Sequence, residues 1–371
     1  MVIVVNLFEN IMSQKVNVGI LGATGTVGQR FIALLENHPI FEIKAIGASS
    51  RSAGRVYSEC TERTWKMTTE IPENIKNMTI VPCEPEHFKG CRLIFSGLDA
   101  SVAGEIETNF ANAGFAVFSN AKNHRMNPLV PLLVPTANTE HFDVIKYQQE
   151  KYGYKTGMIV TNANCASTGL VIVLKALQNA FGPISRAMVH TLQAISGAGY
   201  PGVASLDIID NVVPFIGGEE EKVESEALKM LGTLDPQTHE FVHLKNMKIS
   251  AHCNRVPVVD GHVTNVSIEF EKRPAPSVEE VKKVLREYTC EAQTLKCPSA
   301  PKECIIVKDS PDRPQPRLDR DRYGGLAVTV GRVRECPIFD IKMSLLIHNT
   351  ILGAAGSSIL NAEVAVAKGI F

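Results

Sequence analysis

The chain has 371 residues, 44% of them hydrophobic and 21% charged, with a formal net charge of −1. That length allows two domains with sizeable cores, and the even charge balance points to neither nucleic acid nor a membrane surface as partner. Nine cysteines, an odd number with no CxxC pair and no zinc-finger spacing to histidine, suit reduced thiols in a cytoplasmic protein better than a disulfide framework or a metal site.

Residues 1–11 read as an N-terminal extension: they begin apolar but lack the basic start and cleavage site of a signal peptide, and a second methionine, Met12, follows. No apolar run approaches the roughly 20 residues of a membrane span. The first convincing strand is Lys15 to Leu21. It runs into Gly22-Ala23-Thr24-Gly25-Thr26-Val27-Gly28 and then a helical stretch from Gln29 to Asn37. Strand, glycine-rich turn and helix form the setting in which backbone N–H groups cradle a dinucleotide pyrophosphate. The second strand, Phe41 to Ala48, ends in Ser49-Ser50-Arg51. An NAD site would carry an acid there for the ribose hydroxyl, whereas hydroxyls and a guanidinium suit a 2′-phosphate, so NADP is the expected cofactor.

Residues 53–90 are polar and proline-containing and read as an insertion. A strand through Ser96-Gly97, a helix from about Ser101 to Ala113 and a strand Ala116 to Phe118 continue the β/α alternation of a doubly wound parallel sheet. Arg125 lies in the polar loop that follows. Gly157 to Val160 is a strand and Leu170 to Leu177 a buried helix, with Thr161-Asn162-Ala163-Asn164-Cys165 between them. Cys165 thus sits at a helix N-terminus, where the dipole lowers a thiol pKa and N–H groups can meet an oxyanion. A buried, inert cysteine is the competing reading.

Beyond Cys165 strands become frequent: Arg186–Ala194, Lys248–Val259, His262–Phe270, Ala327–Val333 and Phe339–Ile347. They predict a second domain on a larger mixed sheet. Gln193, Ser196 and Gly197 close the first of these strands; Glu219 and Lys222 open an amphipathic helix; Arg255 and His262 flank Val256-Pro257-Val258-Val259-Asp260-Gly261. Residues 290–325, rich in Pro, Asp and Arg, read as a long surface loop. Asn349 and Thr350 begin a small-residue helix reaching Ala367 that should return to the first domain.

Taken together, Gly22 to Gly28, Asn162 to Cys165, Gln193 to Gly199, Arg255 to His262 and Asn349 to Gly356 make the chain resemble the aspartate-semialdehyde dehydrogenase family, in the form typical of fungi and archaea. The resemblance implies an α/β chain: a Rossmann-like parallel-sheet domain (12–160 with 349–371) and an α+β catalytic and dimerisation domain with a mixed sheet (161–348). It implies NADP-dependent, reversible conversion of aspartate 4-semialdehyde and phosphate to aspartyl 4-phosphate, in lysine, methionine, threonine and isoleucine synthesis, by a homodimer or homotetramer. By the same resemblance Cys165 forms a thioester, His262 moves protons and Gln193 holds the acyl group. Arg255 grips the carboxylate, Glu219 the ammonium, and Arg125 and Lys222 the phosphate, with Asn164 beside them. Gly22, Thr24, Gly25, Thr26, Val27, Ser49, Ser50, Arg51, Ser96, Gly97, Ser196, Gly197, Asn349 and Thr350 face the cofactor. His252 competes with His262 as base, but only His262 matches the family's step of seven from Arg255. A malonyl-CoA reductase, or a non-enzymatic NADP-binding protein, is the alternative.

Overall fold

The computed structural model describes residues 15–371; the expected extension 1–11 lies outside the described residues. Its first unit comprises β1 (Val16–Leu21), α1 (Thr26–Leu35), β2 (Phe41–Ala48), β3 (Val81–Pro82), β4 (Leu93–Ser96), α2 (Ala100–Asn112), β5 (Ala116–Ser119), β6 (Leu132–Leu133), α3 (Ile145–Tyr152) and β7 (Met158–Asn162). The strands are parallel, in the order β3-β2-β1-β4-β5-β7-β6. Val18, Ile20, Phe95, Val117 and Val160 are buried, as expected of a sheet covered by helices on both faces. Strand order reverses between β1 and β4, so the loops at their carboxyl ends diverge and leave a crevice.

Residues 53–90 are not the polar insertion expected. Tyr57, Ile75, Ile80 and Phe88 are buried, β3 extends the sheet beside β2, and the Tyr57 hydroxyl donates to the Ala23 carbonyl at 2.8 Å. A few well-placed apolar side chains fold an otherwise polar stretch.

The second unit follows from α4 (Cys165–Phe181), through β8 (Ile184–Gln193), α5 (Glu219–Met230), a ribbon of β9 (Thr233–Leu234) and β10 (Phe241–Val242), β11 (Lys248–Arg255), β12 (His262–Phe270), α6 (Val278–Glu287), β13 (Ile305–Lys308), β14 (Val328–Glu335) and β15 (Ile341–Ile347). Its main sheet runs β11-β8-β12-β15-β14-β13, with two parallel and three antiparallel pairings. The sheet is mixed as expected; it has six strands against seven in the first, but most of them are longer. Residues 290–325 are no surface loop either. Cys290, Cys297, Cys304 and Ile305 are buried, and β13 forms the sheet edge.

The C-terminal return is present but starts later than expected. A wide, π-type turn, Ile351–Ala355, precedes α7 (Gly356–Ala367), which packs against α1, β5 and β7. Gly353 in that turn lies against the backbone of Cys165; a Cβ there would sit 2.7 Å from the Cβ of Cys165. A widened turn admits this approach where a side chain would not.

Of four buried imidazoles, three are drawn down by that burial: His141, His262 and His348. Burial holds them down to about 4, about 3 and about 4 respectively. The unfolded chain takes up protons below about pH 6.5 that the native protein refuses, so their contribution is full above that pH and lost as pH falls through it. The thermal midpoint is expected to fall between pH 7 and pH 5, each group contributing up to about 1.4 kcal/mol per pH unit. A midpoint flat across that window would contradict neutral burial.

Candidate active site

Four element ends converge on one point. Asn164 caps α4: its Oδ1 accepts from the N–H groups of Ala166 at 2.9 Å and Ser167 at 3.3 Å. Cys165 is therefore fixed in the first turn, directly after β7. Gln193 and Arg255 end the neighbouring strands β8 and β11 and are register partners, while His262 opens β12. The Sγ of Cys165 lies 3.2 Å from His262 Nε2.

The backbone N–H of Ala194 donates to His262 Nδ1 at 3.0 Å. A neutral ring that accepts at Nδ1 carries its proton on Nε2, so this N–H faces the sulfur. The pKa lowering expected for Cys165 from its helix terminus is not what the site produces. Burial pushes the thiol up to about 12 and Glu219 adds to the rise, against the opposing pull of Arg125, Arg255 and the Ala166 N–H. Desolvation of a thiolate outweighs one helix end. The resting pair is a thiol beside a neutral imidazole.

Glu219, the first residue of α5, is already partnered. Its Oε1 accepts from Asn164 Nδ2 at 2.8 Å and Gln193 Nε2 at 3.2 Å, and its Oε2 from Lys222 Nζ at 3.1 Å. Arg255 donates through Nη1 to the Ala194 carbonyl at 2.8 Å. His252, the competing base, is on the far side of this arrangement, stacked on His190 at 5.0 Å.

Two buried residues of α5 were not anticipated. Glu226 accepts from the Asn164 N–H at 2.6 Å with one oxygen and from Arg125 Nη1 at 2.9 Å with the other. Lys229, one turn on, donates to the carbonyls of Arg125, Asn127 and Val130 at 2.6, 2.7 and 2.8 Å. Burial draws Lys229 down to about 7 while Glu226 opposes, and the three carbonyls match the three donors of an ammonium. The two side chains hold Arg125 by guanidinium and backbone together. The remaining Arg125 polar atom, Nε, is buried without a hydrogen-bond partner among the described residues. Glu226→Gln keeps an acceptor for Asn164 but leaves Arg125 uncompensated, so a loss of about 3–5 kcal/mol is expected in urea unfolding. Adding Arg125→Met should recover most of it; failure to recover would show that the pair is not the source of the loss.

The glycine-rich turn suits a phosphate. Gly22 has φ +72°, and a Cβ there would meet the Gly97 carbonyl oxygen at 2.7 Å. The Gly25 cap of α1 offers no side-chain partner and the first turn carries no acid, so N–H groups near Thr24, Thr26 and Val27 stay available to an anion. Thr26, Ser196 and Thr350 line a cavity of about 190 Å³ with Arg30 and Asp260. Asn349 is committed to structure, donating to Ser196 Oγ at 2.8 Å and accepting from the Gly261 N–H at 2.8 Å. Gly197 admits Arg255 and His262, whose atoms would lie 2.9 and 3.3 Å from a Cβ there. Ser96 turns its hydroxyl to buried Glu107 at 2.6 Å, away from the crevice. Ser49, Ser50 and Arg51 follow β2 directly and are all exposed.

Residues 17–145 match the family described as "Semialdehyde dehydrogenase, NAD binding domain", and residues 174–352 the one described as "Semialdehyde dehydrogenase, dimerisation domain". The aspartate-semialdehyde dehydrogenase of Cryptococcus neoformans is 56% identical over 360 residues, 96% of this chain and 98% of that protein. The chain belongs to the aspartate-semialdehyde dehydrogenase family. An archaeal aspartate-semialdehyde dehydrogenase, from Methanothermobacter thermautotrophicus, is 47% identical over 94% of this chain and 98% of its own length. The crystal structure of aspartate semialdehyde dehydrogenase with NADP from Candida albicans superposes with a TM-score of 0.90 at 52% identity, covering 96% of this chain and 100% of that one. The turn bearing Cys165 falls between the two matched stretches.

Proposed function

We propose that this chain catalyses the NADP-dependent, reversible conversion of L-aspartate 4-semialdehyde and phosphate to L-aspartyl 4-phosphate through a thioester on Cys165. The observation that carries the reading is the 3.2 Å approach of Cys165 Sγ to His262 Nε2, ringed by Arg255, Arg125 and Glu219 in a chain of this family. In the oxidative direction the sulfur attacks the aldehyde carbon, His262 Nε2 gives its proton to the carbonyl oxygen where negative charge develops and takes the thiol proton in its place, and the adduct hydroxyl releases its proton to solvent as the hydride leaves. NADP, when bound, takes up the hydride in this direction and returns it in the other. Phosphate then displaces the thiol, with Arg125 and Lys222 as its cations. Arg255 offers a planar fork to the substrate carboxylate, Glu219 an acid to its ammonium, and Gln193 and Asn164 orient both.

The turn from Gly22 to Val27, with Gly97, is the proposed pyrophosphate cradle; Ser196 and Gly197 close it from the second unit, Asn349 and Thr350 from the start of the C-terminal return, and Ser96 lies beneath it. Ser49, Ser50 and Arg51 are the proposed readers of the 2′-phosphate. Arg51→Ala should raise the NADP Michaelis constant and leave that for NAD nearly unchanged; an equal effect on both would remove this role.

The domain division proposed is 12–160 with 349–371 against 161–348. Association as a homodimer or homotetramer is supported by the open face of the second sheet, where Met188 and Leu192 are 41% and 37% exposed. No described helix is long and apolar enough to cross a membrane. A cytoplasmic location is supported by nine free cysteines.

The deciding experiment follows NADPH formation from NADP and aspartate semialdehyde with and without phosphate. Turnover that requires phosphate is expected. Phosphate-independent turnover, or a preference for malonyl-CoA in the reductive direction, would overturn the substrate assignment.

A further inference from the structure

The chemistry above uses one thiol of nine. Among the described cysteines, Cys290 and Cys304 are brought together in another part of the second unit, with Cys304 Sγ donating to Cys290 Sγ at 3.4 Å. They are the ends of one folded segment. Cys290 precedes a short helix, Glu291–Thr294, and Cys304 immediately precedes β13.

Gln293 ties the segment into a ring. Its Oε1 accepts from the Cys290 N–H at 2.9 Å, and its Nε2 donates to the carbonyls of Pro301 and Lys302, each at 2.9 Å. The sulfurs are thus held in register by backbone contacts on both sides. A disulfide forms at roughly 2.05 Å, so they need approach by only a little over an ångström.

The two sulfurs are chemically unequal. The hydrogen bond from Cys304 pulls the Cys290 thiol down against its burial, helped by the N–H groups of Gln293 and Ala292. The same hydrogen bond, with burial, pushes Cys304 up. Cys290, which receives the Cys304 S–H, is therefore the more readily ionised of the two, and the ionised form is the nucleophile. Access follows the same order: Cys290 is 8% exposed and lines a surface cavity of about 590 Å³ together with Lys175 and Glu291, whereas Cys304 is 1% exposed and does not line it. Buried Cys91 and Cys253 are instead pushed up to about 11, mainly by burial.

We propose that Cys290 and Cys304 are a peroxide-reactive dithiol, a covalent modification site separate from Cys165, in which Cys290 reacts first and Cys304 resolves it to a disulfide. Cys290 sulfur attacks one peroxide oxygen, the O–O bond breaks, and the second oxygen leaves as water with a proton from the pair. Cys304 sulfur then attacks the Cys290 sulfenic acid, and its hydroxyl leaves as a second water. The two thiols lose two electrons and two protons, and hydrogen peroxide is the oxidant.

The test treats the full-length native protein with hydrogen peroxide, quenches it by denaturation in N-ethylmaleimide, and maps the digested peptides by mass without reduction. A Cys290–Cys304 linked peptide is expected as the dominant disulfide, reversed by dithiothreitol. Cys290 and Cys304 still alkylated while Cys165 is oxidised, or a dominant link to another cysteine, overturns the proposal. Order of attack is read with dimedone, which traps sulfenic acids: Cys304→Ser should be labelled at Cys290, and Cys290→Ser should leave Cys304 unlabelled. Label on Cys304 in the second variant overturns the assigned order. The native mapping stands alone if either variant does not fold.

Discussion

Cys165→Ala is expected to lose at least about four powers of ten in turnover while keeping its fold and its affinity for NADP. The scale is that of removing a nucleophile on which both half-reactions depend. Alanine keeps the Cβ that Gly353 packs against, and Asn164, which caps the helix through its side chain, is untouched, so the variant loses a sulfur and little else. Thermal unfolding and NADP titration provide the control, and the rate provides the result. Native enzyme given aspartate semialdehyde and NADP without phosphate should also carry an aspartyl adduct on the Cys165 peptide. A rate above about a hundredth of native, or an adduct on another residue, would falsify the assignment.

His262→Gln separates two roles for the imidazole. Glutamine can accept from the Ala194 N–H and can turn an N–H toward Cys165, so it imitates the hydrogen bonds. It cannot release and regain a proton. If proton transfer to and from the adduct oxygen is the work of this residue, kcat should fall by roughly two to four powers of ten with little change in either Michaelis constant. A variant within tenfold of native would reduce His262 to an orienting donor. His252→Gln is the companion measurement. His252 lies stacked on His190, and its loss should leave the rate near native.

Much of this architecture is legible in the residues themselves. Strand, glycine turn and helix at 15–37, and the small-residue C-terminal return, follow from local rules and appear with boundaries moved by a few positions. What local rules do not reveal is what lies across from a side chain. Glu226 and Lys229 sit in a charged run that reads as the wet face of an amphipathic helix; only the fold supplies the Asn164 N–H, the Arg125 guanidinium and three loop carbonyls opposite them. Ser96 and Asn349 fall in cofactor-like motifs, yet their polar atoms are taken by Glu107, Ser196 and Gly261. The thiol of Cys165 shows the same limit in energy: a helix terminus is a local feature, burial is a tertiary one, and burial prevails. The proline-rich stretch 290–325 misleads because its four-residue strand and spaced cysteines carry too little periodicity to announce a packed edge.

The clamp of Lys229 on residues 125–130 bears on how the molecule moves. Swinging the two sheets apart about a hinge would pull the ammonium off three carbonyls and the Arg125 guanidinium off Glu226. Breaking this buried set of contacts costs several kcal/mol. The two units are therefore expected to move as one body, with ligands entering and leaving by local rearrangement at the mouth of the crevice. The exposed stretch carrying Tyr200, Leu206, Ile209 and Phe215 borders that mouth through Tyr200. Exchange of cofactor should then be paced by the loosening of a rim, on loop timescales, with the overall radius of gyration unchanged from the empty to the loaded enzyme.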